Sequence, residues 1–195
     1  MNNMSQRFVE PHSVKLVQHP GTILMQHCIN FTLSGVGFTG EEWIKDSVET
    51  GYVLSEKARE VLVSADYDKK HRISPGVEYE VSLVLGEVIP KDSERMIENM
   101  KRLARDEFGD DCATDLKGEH AFLLLKGLMS TKLELNGLSD IIVPHRFIID
   151  SSNNAIVLGI NRRNGSLRVK GYEYDPGREL GCDSALAFVK YVYRH

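Results

Sequence analysis

The chain of 195 residues carries 24 Lys and Arg against 28 Asp and Glu, a formal net charge of −4, with 42% hydrophobic and 27% charged residues. That balance is the composition of a folded domain and excludes a disordered polyelectrolyte. No apolar run approaches the roughly 18 residues of a membrane-spanning helix, and residues 1–13 lack a cationic start followed by an apolar stretch, so no membrane partner and a cytoplasmic location are expected.

Residues 1–21 hold Pro11 and Pro20 and little periodicity, which predicts a partly ordered arm ahead of a single domain over 22–195. From Ile23 to Leu33 apolar and polar residues alternate, the period of a strand with one buried face. Gly35, Gly37 and Gly40 end it. Thr39 caps a short helix over 41–48 stopped by Gly51, and Ser55 caps a second over 56–63. Residues 66–76, with Lys69, Lys70, His71 and Pro75, read as a polar loop. Val77, Tyr79, Val81, Leu83 and Leu85 then alternate with polar residues in a second half-exposed strand that stops near Pro90.

The clearest helical pattern follows. Asp92 or Ser93 supplies a cap; Met96, Ile97, Met100, Leu103, Ala104 and Phe108 form one stripe, Glu98 and Arg102 an i,i+4 pair, and Gly109 the stop. The continuous apolar run 121–125 suits a strand covered on both sides. Thr131 with Glu134 forms a capping box before Asn136 and Gly137, predicting a turn or two of helix. Residues 141–149 read as a strand interrupted at Pro144, and 151–154 as a turn. Residues 155–172 form a hairpin closed by Asn164 and Gly165, the pair that best tolerates a type I′ turn. With Arg163 opposite Ser166, Ile156, Leu158, Ile160, Leu167 and Val169 share one face, and Asn161, Arg163, Ser166, Arg168 and Lys170 the other. After a turn at 174–177, residues 185–193 are a closing strand. The expected fold is α+β: a largely antiparallel sheet with one long amphipathic helix and a few short helices packed on one face.

Several residue groups could carry chemistry. Gly35, Gly37 and Gly40 fit a Gly-x-Gly-x-x-Gly between strand and helix, the geometry in which a pyrophosphate meets helix N-terminal amides. The preceding strand has a polar face, however, and the nearest acidic residue at a strand-like end, Asp66, lies beyond the usual spacing of about 20 residues. His12, His19 and His27 have no metal-ligand spacing, and Asp110, Asp111 and Asp115 lack the alternation of a calcium loop. Cys28, Cys112 and Cys182 form no Cys-x-x-Cys pair and are expected to be reduced thiols. His145, Asp150 and Cys182 could form a nucleophilic trio only if folding assembled them. Neither a cofactor nor a metal is expected.

Charge is uneven along the chain. Residues 41–111 hold 18 acidic against 11 basic residues, a net −7, whereas 161–195 hold 4 against 7, a net +3. Arg163, Arg168 and Lys170, joined by Arg162 and Arg178, can follow a row of phosphates, with Tyr172 or Tyr174 available to stack on a base. An acidic chain is an unusual dedicated nucleic-acid binder. The expectation is a small binding module for a protein partner, acting through the exposed sheet face or the acidic helical region. The alternatives are nucleic-acid binding through the basic 161–170 hairpin, and an enzyme or nucleotide binder built on the turn at 35–40.

Overall fold

The computed structural model describes residues 29–86, 98–99, 101–102, 105, 116–131, 138–175 and 177–191. Among the described residues eight strands form one sheet: β1 (Ile29–Ser34), β2 (Val53–Leu54), β3 (Glu78–Leu85), β4 (Asp140–Ile142), β5 (Ile148–Ile149), β6 (Ala155–Arg163), β7 (Ser166–Glu173) and β8 (Ser184–Tyr191). Four described helices accompany them: α1 (Gly40–Thr50), α2 (Glu56–Leu62), α3 (Ala65–Lys70) and α4 (Glu119–Thr131). The strand order is β1-β3-β8-β4-β6-β7-β2, with β5 paired to β6.

β4 runs parallel to β8, and β2 parallel to β7. The sheet is therefore mixed, not largely antiparallel as the sequence suggested. The last strand of the chain sits between β3 and β4 instead of at an edge, and alternation of apolar residues carries no information about strand direction.

Register assigns the faces. Val81, Leu83, Ala185, Ala187, Ile141, Leu158, Ile160 and Val169 lie on one side and are buried beneath the helices. α4 crosses this face against β1, β6 and β7, and α2 packs on β7. The opposite side carries Val84, Ile142, Val157, Tyr172, Leu186 and Phe188, all buried as well. The hairpin is thus half-exposed only toward its tip, where the cationic residues are.

Both short caps are as the sequence implies. The Thr39 hydroxyl accepts from Glu42 N and the Glu42 carboxylate accepts from Thr39 N, while Gly51 ends α1. The Ser55 hydroxyl accepts from Ala58 N at 3.1 Å and also from Gly171 N at 3.2 Å, fastening α2 to β7.

Two expected elements differ. The loop expected at 66–76 begins with a helix, α3, capped by Ser64, with Asp66 and Asp68 in its first turn and Lys69 and Lys70 in its last. That charge order complements the helix dipole. With Tyr67 its one buried residue, no apolar stripe announces it. The run 121–125, read as a covered strand, is the middle of α4, and Ala121, Phe122, Leu123, Leu124 and Leu125 are all fully buried. A helix buried on every side loses its polar stripe, so periodicity cannot separate it from a buried strand.

The long helix expected after Asp92 falls mostly outside the described residues. Glu98, Asn99, Lys101, Arg102 and Arg105 within it are helical. There Lys101 pairs with Glu98 at 3.1 Å, and both bond the Tyr174 hydroxyl. The arm 1–21, the first part of the strand read from Ile23, and the stretch 132–137 also lie outside the described residues.

Candidate functional site

The hairpin turn closes at Asn164 and Gly165, with φ of 52° and 78°. Arg163 stands opposite Ser166 and Asn161 opposite Arg168. This register puts Asn161, Arg163, Arg168, Lys170 and Tyr172 on one face. Arg162 pairs with Leu167 and has the parity of the apolar face, so it leaves the cationic row.

A hydrogen-bonded network underlies that row. Asp140 Oδ1 accepts from the Tyr172 hydroxyl and from Asn161 Nδ2 at 2.8 Å, and Oδ2 accepts from the Ser139 hydroxyl at 3.2 Å. Asn161 Oδ1 in turn accepts from Arg168 Nε at 2.7 Å. Lys170 lies 4.7 Å and Arg178 5.2 Å from the Tyr172 ring centre, so the ring holds two cations. Burial acts to raise the Asp140 carboxyl, but bonds from Tyr172, Asn161 and Ser139, with the charge of Lys170, outweigh it and hold the group below its ordinary range. Burial and the Asp140 bond push the Tyr172 hydroxyl well up, so it remains a donor. Among the described residues no carboxylate lies within ion-pair distance of Arg163, Arg168, Lys170 or Arg178.

The glycine-rich turn does meet a carboxylate, and it is the protein's own. Glu119 Oε1 accepts from Gly37 N at 2.8 Å and Val36 N at 3.3 Å, and Oε2 accepts from Ile73 N. Gly40 N donates to Asp68 at 2.8 Å, and Thr39 N to Glu42 at 2.7 Å. The amides that a pyrophosphate would use are engaged by three internal carboxylates. Gly40 also has a packing reason to be glycine, since a Cβ there would stand 1.7 Å from Leu62 O. Burial raises the Glu119 carboxyl, opposed by bonds from the backbone of Ile73, Gly37, Val36 and Phe38.

His145 follows Pro144 in the connection between β4 and β5 and is buried. Its Nδ1 contacts Arg146 O at 2.5 Å and its Nε2 accepts from Leu158 N at 2.7 Å, an amide that strand pairing would otherwise satisfy. Both ring nitrogens are therefore occupied. Asp150 accepts from the amides of Ser152 and Asn154 and from Lys57 Nζ at 2.6 Å, tying the β5–β6 turn to α2. Lys57, followed by the Asn154 amide, holds its carboxyl far below the usual range. Cys182 is exposed and free, one residue before Asp183, whose carbonyl bonds Ser139 at the start of β4. β4 begins level with Asn161, whereas Asp150 bonds the Asn154 end of β6, about 20 Å away at the usual rise per strand residue. The structure does not bring the three together.

The sequence pattern does not single out His71 and His120, which are buried beside the start of α4, or the buried Glu119. Charged and imidazole residues flanking an apolar run were the available signal. Among the described residues no group of His, Cys, Asp and Glu could hold a metal ion, and no helix is long and apolar enough to cross a membrane. His12, His19, His27, Cys28, Cys112, Asp110, Asp111 and Asp115 lie outside the described residues. In comparisons with known proteins, no family model, curated protein or solved structure matches the chain.

Proposed function

We propose that the protein is a binding module that docks an acidic segment of a protein partner on the cationic face of the β6–β7 hairpin. The observation that carries this reading is the row of Arg163, Arg168, Lys170 and Arg178, in which Asn161 holds Arg168 and the Tyr172 ring holds Lys170 and Arg178, and which faces no carboxylate at ion-pair distance among the described residues. Arginines fixed by side-chain bonds lose little further freedom on meeting a carboxylate, and their planar forks bind it bidentately. Exposed ion pairs contribute only about 0–1 kcal/mol each, so the module suits a reversible, salt-sensitive partner.

The same cations would serve a nucleic acid, the second reading. The peptide is favoured because Tyr172 is 4% exposed and sits beneath Lys170 and Arg178, which leaves no open ring face for a base. An enzymatic or nucleotide-binding role at 35–40 would first require Glu119 to leave the loop amides.

Fluorescence anisotropy with a labelled Glu/Asp-rich peptide and a labelled oligothymidine tests the proposal. Saturable peptide binding that is lost in Arg163→Glu/Lys170→Glu supports it. Preference for the oligonucleotide selects the second reading, and peptide affinity unchanged by the double substitution overturns the proposed face.

A further inference from the structure

Three buried histidines from separate elements converge around the start of α4: His71 at the C-cap of α3, His120 in the first turn of α4, and His145 in the β4–β5 connection. The rings of His71 and His145 meet edge to face at 5.3 Å. Each of the three takes a backbone N–H on one ring nitrogen. His71 Nδ1 accepts from Gly118 N at 3.3 Å, His120 Nδ1 from Lys117 N at 2.9 Å, and His145 Nε2 from Leu158 N at 2.7 Å. A ring nitrogen accepts only while it carries no proton, so all three bonds require neutral imidazoles.

We propose that this cluster is an acid-sensitive latch: protonation turns three acceptors into donors aimed at amide N–H groups, and releases residues 116–120 together with the β4–β5 connection. The same release would draw Glu119 out of the 35–37 amides, because Glu119 lies between Gly118 and His120 in the chain.

The surroundings set the direction. His71 Nε2 faces Asp66 at 4.0 Å, where Asp66 is itself paired with Lys70, and the ring stacks on Tyr67; the charges of Lys70, Arg146 and Lys117 oppose protonation of the ring. His120 Nδ1 also lies 3.2 Å from Lys117 O, which favours the protonated ring against burial and the Lys117 charge, and the ring meets Tyr79 edge to face. His145 contacts the Arg146 carbonyl and the His71 ring, and the charges His120 and Lys101 would present oppose its protonation. Among the described residues the acid that bears on the cluster is Asp66, against the cations Lys70, Lys101, Lys117 and Arg146. Glu119 directs its carboxylate away, to the amides of Val36, Gly37 and Ile73.

Burial, the largest influence, together with the cations outweighs Asp66 on His71 and the Lys117 and Arg146 carbonyls on His120 and His145, and holds His71 and His120 down to about 4 and His145 to about 3. An open state that returns the rings to water restores the ordinary value of about 6.5. At pH 5 this difference favours opening by about 30-fold per histidine.

The test is amide hydrogen exchange of the full chain at Lys117, Gly118 and Leu158 between pH 7.5 and 5.0, corrected for the intrinsic pH dependence. It is read beside the emission of Trp43, whose ring stacks on Phe122 of α4 at 4.7 Å. Exchange at the three amides is expected to accelerate by more than about 100-fold, ahead of the β1–β3 amides. His71→Asn, His120→Asn and His145→Gln keep an acceptor oxygen without a titrating ring, and each should cut the acceleration by about 10-fold or more. Protection that persists to pH 5.0, or a transition that survives in the triple variant, overturns the latch. Should a variant fail to fold, ring nitrogen shifts of the unmodified protein decide: rings that protonate as protection falls support the latch, and rings still neutral after protection is lost overturn it.

Discussion

Replacing Glu119 by Ala tests the most concentrated polar contact of the core. Glu119 is fully buried and accepts from Gly37 N at 2.8 Å, Val36 N at 3.3 Å and Ile73 N. Each buried amide left without an acceptor costs about 1–3 kcal/mol, and the weaker Val36 bond belongs at the low end. Against the sum stands the relief of no longer burying a carboxylate, whose presence is felt in its raised pKa. The net expectation is a loss of about 3–5 kcal/mol, a large part of the roughly 5–15 kcal/mol of an ordinary domain. Glu119→Gln keeps one acceptor oxygen but turns an NH2 toward an amide, so it should lose about 1–3 kcal/mol. Urea unfolding at pH 7.5, followed by Trp43 emission, measures both. Formate, which can re-enter the vacated cradle as a free carboxylate, should restore part of the loss in the Ala variant alone. A loss below about 1 kcal/mol in both variants would refute the view that this carboxylate holds the 35–37 turn to α3 and α4.

Gly40→Ala places a Cβ 1.7 Å from Leu62 O, so α1 must withdraw from α2, and thermal melting should show a loss of about 3 kcal/mol or more. Gly165→Ala forces a side chain onto a φ of 78° and should cost about 1 kcal/mol by the same assay, without altering the core. Stability should be full above about pH 6.5 and fall as pH drops toward 4, since the three histidines bind protons more weakly folded than unfolded. By pH 5.5 the loss from the three is about 4 kcal/mol, offset in part by Glu119, whose raised pKa acts in the opposite sense. Denaturant midpoints from pH 7.5 to 4.5 check the sign. Arg163→Glu/Lys170→Glu should change stability by no more than about 0.5–1 kcal/mol while removing peptide binding, which separates recognition from folding.

The elements legible in the sequence were those whose local chemistry is self-contained. Thr39 with Glu42, Ser55, and Asn164 with Gly165 each satisfy backbone groups within a few residues, and all three fall where the pattern puts them. The alternating strands β1, β3 and β6–β7 are readable for the same reason, and for the β6–β7 hairpin the turn also sets the register. Residues 121–125 were misread because complete burial erases the period, although a run without β-branched residues before Thr131 favours helix on propensity. The parallel pairings β4–β8 and β2–β7 join segments far apart in the chain, and nothing local encodes them. The site divides along the same line. The cationic face follows from hairpin register, whereas the Asp140 contact with Tyr172, the Glu119 cradle and the histidine cluster are made by segments that meet only in three dimensions.

The most direct test of the proposed binding face is an amide NMR titration of the full chain with a Glu/Asp-rich peptide at low salt. Resonances of Arg163, Arg168, Lys170 and Arg178 are expected to move together and return as salt is raised, while those of 35–40 stay in place. Shifts centred on another surface, or peptide binding indifferent to salt, would contradict the proposed face.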